Sequence, residues 1–84
     1  MVITGRVQGV GFRDFAQNAA MREGVTGWVR NRPDGRVEAY VEGEDASVER
    51  VERALRAGPP HAHVDDVDVI EEDAVGALKG FSIR

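Results

Sequence analysis

Gly5-Arg6-Val7-Gln8-Gly9-Val10-Gly11-Phe12-Arg13 leads from a β-branched opening, Val2-Ile3-Thr4, straight into a helical pattern. Three glycines in seven residues remove the Cβ atoms that keep backbone away from a ligand, and they permit positive φ, so successive N–H groups can converge on one point. The helix that follows adds its own unpaired N–H groups and the positive end of its dipole. Arg13, in its first turn, carries a planar fork of donors suited to two oxygens of one anion. The stretch therefore reads as a loop able to hold a small oxyanion. It matches neither the phosphate loop of nucleotide hydrolases, which needs Gly-Lys followed by Ser or Thr, nor the dinucleotide fingerprint. The plainer alternative is a tight strand-to-helix turn with no ligand.

Working outward, Phe12, Phe15, Ala16 and Ala19 recur at helical spacing and Gly24 supplies a stop, which predicts a helix from about Phe12 to Glu23. The aromatic pair belongs to its core stripe. Val25 to Asn31 reads as a strand, Arg32-Pro33-Asp34-Gly35 is turn chemistry, and Arg36 to Glu42 alternates apolar with polar residues, so a hairpin is expected. A second helix opens at Glu44 or Asp45 and runs to about Ala57, ended by Gly58-Pro59-Pro60. A strand from about His63 to Glu71 and a short last strand at Phe81 and Ile83 complete the order strand, helix, strand, strand, helix, strand, strand. Two interleaved strand-helix-strand units of this kind give an α+β two-layer sandwich, with both helices on one face of a mostly antiparallel sheet. The opening strand, Met1 to Thr4, is short, and the expectation is either a start assigned late or a truncated central strand, which would leave neighbouring backbone groups without ladder partners.

A second stretch, Gly27-Trp28-Val29-Arg30-Asn31, followed by the turn, joins the first in carrying a family likeness. Gly5, Val7, Gln8, Gly9, Val10, Phe12 and Arg13, with Gly27, Trp28, Val29 and Asn31 in order behind them, resemble the two motifs of the acylphosphatase family, and the resemblance runs from Gly5 to the terminal Arg84. It implies a ferredoxin-like α/β sandwich that hydrolyses acyl phosphates to a carboxylate and inorganic phosphate. Within it, Arg13 would bind phosphate together with the loop residues Gly5, Arg6, Val7, Gln8, Gly9, Val10 and Gly11, and Asn31 would orient the attacking water. By its residue type alone, an asparagine at a strand end is also a turn former that bonds its own backbone.

Composition bounds the remaining classes. At 84 residues the chain has room for one domain, 1–84, with a single modest core. There is no cysteine, which removes disulfides and thiolate chemistry. No apolar run approaches the roughly 20 residues of a membrane span, and no leader pattern opens the chain, so a cytoplasmic location is the default expectation. The net charge is −4. Residues 1–36 nevertheless hold six basic side chains against three acidic ones, which draws an anion towards the two motifs. An acidic whole argues against nucleic acid and anionic membranes as partners. The expected partners are a small acyl phosphate and inorganic phosphate, and a monomer is expected.

His61 and His63 have no third histidine or thiol to complete a metal shell, and no serine has a base in plausible context, so catalysis is expected to be electrostatic and positional, without metal or cofactor. The rival reading is a non-catalytic regulatory domain that binds phosphate or a carboxylate in the same loop. An RNA-binding module of this architecture would need more exposed aromatics than Trp28 and Tyr40 supply.

Overall fold

The computed structural model describes residues 1–84 as five strands and two helices: β1 (Val2–Arg6), α1 (Phe12–Glu23), β2 (Thr26–Asn31), β3 (Val37–Glu42), α2 (Asp45–Ala57), β4 (His63–Asp68) and β5 (Phe81–Ile83). One sheet holds all the strands in the order β4-β1-β3-β2-β5. Its pairings are antiparallel except for β5, which lies parallel to β2. β1 and β2 both run antiparallel to the β3 strand between them, so they point the same way. Their C-terminal ends, and the loop leaving β1, lie along one rim of the sheet. Two helices pack on a five-stranded open mixed sheet, the two-layer sandwich expected of the element order and the ferredoxin-like fold that the family resemblance implies. No helix is long and apolar enough to cross a membrane.

The core forms where strand and helix periodicities meet. Ile3, Val29, Val37 and Ala39 point from the central strands towards Phe12, Ala16 and Ala20 of α1 and Val51 and Leu55 of α2, all nearly inaccessible to water. Burying a side chain the size of Leu55 contributes about 1.5–3 kcal/mol. α1 stops at Gly24, whose φ of 69° is left-handed and whose N–H meets the carbonyls of Ala20 and Met21. α2 ends at Gly58, whose N–H bonds the Ala54 carbonyl, ahead of two prolines.

Two strand ends differ from the sequence reading by more than one residue, each for a pairing reason. β1 continues to Arg6 because β4 offers partners as far as His63, with a shift in register between Thr4 and Gly5. β4 stops at Asp68 instead of Glu71 because Asp68 faces Val2, close to where β1 begins. The short opening strand is nonetheless paired on both sides. The Met1 ammonium donates to the Ala39 carbonyl at 2.7 Å and the Ala39 N–H returns a bond to the Met1 carbonyl at 2.9 Å. Beyond Ala39, β3 has no strand partner on that side.

Candidate active site

The loop between β1 and α1 occupies residues 7–11, and its two ends are fixed by different means. Val7 is buried in the core and Val10 packs against it, which pins the loop from beneath. Gln8 fixes it laterally: its Nε2 donates to the Arg32 carbonyl at 2.8 Å and the Arg36 carbonyl at 2.9 Å. One side chain thus ties the first motif to the turn that follows the second.

Gly9 and Gly11 have φ of 73° and 77°, the left-handed region, and an added Cβ at either would enter open space. Gly11 is also the N-cap of α1, and no side chain bonds the first turn of the helix. The Phe15 N–H closes the first backbone bond, to Gly11, so the N–H groups of Phe12, Arg13 and Asp14 keep their donor capacity. Arg13 is exposed and enters none of the protein's ion pairs. The cations of the β2–β3 hairpin are committed: Arg30 to Glu38, and Arg32 and Arg36 to Asp34. Hydrogen bonds from Arg36 and the charge of Arg32 hold the Asp34 carboxyl well below its usual range, at about 2.

Asn31 closes β2 on the same rim, paired with Val37. Its side chain is half-buried, and its Oδ1 is the one buried side-chain polar atom in the protein without a hydrogen-bond partner. A turn-capping asparagine would have spent that oxygen on backbone. With no partner holding Oδ1 inward, a half-turn of the amide breaks no protein hydrogen bond and presents the oxygen outward instead.

Gly5 and Arg6 stand apart from the rest of the first motif, because both belong to β1. Gly5 serves close approach: a Cβ there would lie 2.1 Å from the His63 carbonyl oxygen, at a φ of 134°. The sequence reading missed this strand contact, and it missed the clamp made by Gln8, since both depend on chain segments more than twenty residues away. It also missed Glu42, whose carboxylate accepts the Tyr40 hydroxyl at 2.8 Å and the backbone N–H groups of Val75 and Gly76, fastening the 69–80 segment to the sheet. His63 lies 3.1 Å from Asp65 at the exposed edge of β4.

Comparison with known proteins shows the family and the fold. The acylphosphatase family model fits residues 1–83. An acylphosphatase of Rubrobacter xylanophilus is 55% identical over 82 residues, covering 98% of this chain and 74% of that protein. One from Anaeromyxobacter dehalogenans is 56% identical over 84 residues, covering 100% of this chain and 90% of its own. The crystal structure of acylphosphatase from Bacillus subtilis superposes with a TM-score of 0.95 at 41% identity, across 99% of this chain and 92% of that one. With both motifs on one rim of a ferredoxin-like sheet and relatives this close over nearly its whole length, the chain belongs to the acylphosphatase family, enzymes that hydrolyse acyl phosphates.

Proposed function

We propose that the phosphoryl group of a small acyl phosphate sits between the backbone N–H groups of residues 7–11, the open first turn of α1 and the Arg13 guanidinium, and that Asn31 positions the attacking water. The observation that carries this reading is a pair of unspent groups on one rim: an uncapped helix start behind left-handed Gly11, and the partnerless Asn31 amide. Donors without partners cost little to redirect onto a ligand, and fixed ones act without reorganisation as charge grows on the phosphoryl oxygens. Gly5 and Arg6 take part through the strand that delivers the loop, and Gln8 through the clamp that sets its distance from the hairpin.

In this mechanism the water oxygen forms the new P–O bond in line with the bond to the acyl oxygen, which breaks. The leaving carboxylate is stable enough to depart as an anion, so no acid is required beside it. Asn31 contributes orientation, accepting a hydrogen from water through Oδ1, and the proton passes to a phosphoryl oxygen of the substrate. The products are a carboxylate and inorganic phosphate. No step calls on a metal or cofactor.

The test is turnover by the purified protein of an aromatic acyl phosphate beside a phosphate monoester and a nucleoside triphosphate. Rapid phosphate release from the acyl phosphate alone is expected, inhibited by inorganic phosphate. Binding of phosphate without release would favour the non-catalytic regulatory reading.

A further inference from the structure

The face of the sheet turned away from the helices carries two guanidiniums beside one indole. Val29 is buried in the core, so its neighbours Trp28 and Arg30 point to the opposite face. Trp28 is held there by stacking on Tyr40, its partner across the strands, with ring centroids 6.1 Å apart. The Arg84 N–H donates to the Val29 carbonyl at 2.8 Å, which sets Arg84 beside Arg30. The Arg84 guanidinium lies 4.7 Å from the Trp28 ring centroid and that of Arg30 lies 6.0 Å from it. Arg30 spends its Nε and Nη2 on one oxygen of Glu38, at 2.8 and 2.7 Å, so its Nη1 is left over. Arg84 enters no ion pair. These side chains share one open pocket with Asn31, and two arginines against Glu38 alone make it positive within a chain of net charge −4. Oδ1 of Asn31 is buried without a partner, which leaves Nδ2 as the end of the amide free to face this pocket.

We infer that this pocket binds a small carboxylate, the chemical class of the reaction's own organic product. An indole against a guanidinium steadies it and takes water from one face while leaving its donor fork free. A planar carboxylate matches that fork with two parallel bonds, whereas a tetrahedral phosphoryl group finds a fuller set of donors in the 7–11 loop. Arg30 Nη1 and Asn31 Nδ2 meet the remaining lone pairs of the carboxylate. The consequence for turnover rests on the role proposed for Asn31. A carboxylate that accepts from Nδ2 holds the amide with Oδ1 inward, the orientation in which it cannot receive a hydrogen from water. Acyl phosphate still enters the loop. The product carboxylate therefore lowers kcat without competing with substrate, in contrast to inorganic phosphate, which competes for the loop.

The probe is benzoate, titrated at constant ionic strength into the intact protein and followed by NMR, with benzamide as the uncharged control. The Nε–H groups of Arg30 and Arg84, the Trp28 indole N–H and the Asn31 side-chain amide should shift along one curve with a Kd of about 1 mM. Residues 8–13 should stay in place, and benzamide should move none of these groups. Arg84→Gln should weaken binding at least about fivefold, and Arg84→Lys, which keeps the charge and loses the fork, nearly as much. Arg30→Gln should weaken it too and serves should the Arg84 variants not fold. In turnover of an aromatic acyl phosphate, benzoate should lower kcat at unchanged KM, and Arg84→Gln should relieve that inhibition while inhibition by inorganic phosphate persists. Benzoate shifts on residues 8–13, equal shifts with benzamide, undiminished binding by the Arg84→Gln protein, or purely competitive inhibition by benzoate would each overturn the inference. Absence of any turnover would instead overturn the proposed function, and the titration would still decide the carboxylate site.

Discussion

Replacing Asn31 by alanine separates its two roles, because structure and catalysis predict opposite signs. A buried carbonyl oxygen without a partner costs about 1–3 kcal/mol of desolvation, and Oδ1 of Asn31 is such an atom. Asn31→Ala removes that cost. It also removes the packing of a half-buried side chain, which offsets about 1 kcal/mol, so the net change is between about zero and 1–2 kcal/mol of added stability. Catalysis moves the other way. Loss of the group that positions water lowers kcat by about a hundredfold or more, while KM and inhibition by inorganic phosphate stay within about twofold, since the amide acts chiefly in the transition state. Urea unfolding can be followed through Trp28, the single tryptophan, which stacks on Tyr40 three residues along β2 from Asn31. Phosphate release from an aromatic acyl phosphate gives the kinetics. A variant destabilised by more than about 1 kcal/mol, or one that loses phosphate inhibition in step with kcat, would refute the reasoning and return Asn31 to a structural role.

Arg13→Lys should lose most turnover and phosphate affinity while its unfolding midpoint stays within about 0.5 kcal/mol of the parent, because an exposed guanidinium without ion-pair partners holds nothing in the fold. Among the glycines, Gly5→Ala should unfold the protein or cost several kcal/mol, about the scale of a severe backbone clash, given the 2.1 Å approach to the His63 carbonyl. Gly9→Ala has room for its Cβ, so only the left-handed φ penalises it, about 1–2 kcal/mol. Its activity should fall further than that stability loss explains if the Cβ intrudes on phosphate. Gln8→Ala forfeits two hydrogen bonds to Arg32 and Arg36, about 1–3 kcal/mol, and should lower kcat by loosening the hairpin from the loop. Glu42 has its carboxyl held below the ordinary 4.5, first by the Tyr40 hydroxyl and then by the N–H groups of Gly76 and Val75. Its contribution to stability is therefore present above about that pH and lost as pH falls through the lower folded value. Hydrogen exchange at Val75 and Gly76 should accelerate in that acid range, and Glu42→Gln should abolish the dependence.

Local periodicity carried most of the fold. The Phe12 to Glu23 and Asp45 to Ala57 helices stand where spacing and Gly stops put them, because an amphipathic stripe and its terminating glycine are both written within a dozen residues. Strand ends were less legible, since a strand lasts only as long as its neighbour: β4 ends at Asp68 for want of a partner beyond Val2, not for any signal in Val69-Ile70-Glu71. That β5 pairs in parallel with β2 was also invisible, its three residues having no pattern that fixes direction. At the candidate site, the glycines and Arg13 point by chemistry alone to the anion loop that we propose, whereas the role given to Asn31 on the same rim needed the family likeness. What neither disclosed was the clamp of Gln8, because a glutamine bonding carbonyls twenty-four and twenty-eight residues away leaves no local trace.

The seat of phosphate is the central claim, and an NMR titration of the protein with inorganic phosphate tests it most directly. The backbone amides of Gly9, Val10, Gly11, Phe12 and Arg13, the Arg13 Nε–H and the Asn31 side-chain amide should shift together along one saturation curve. Shifts confined instead to the other cationic patch, where the Arg84 guanidinium lies 4.7 Å over the Trp28 ring beside Arg30, with residues 8–13 unmoved, would contradict it.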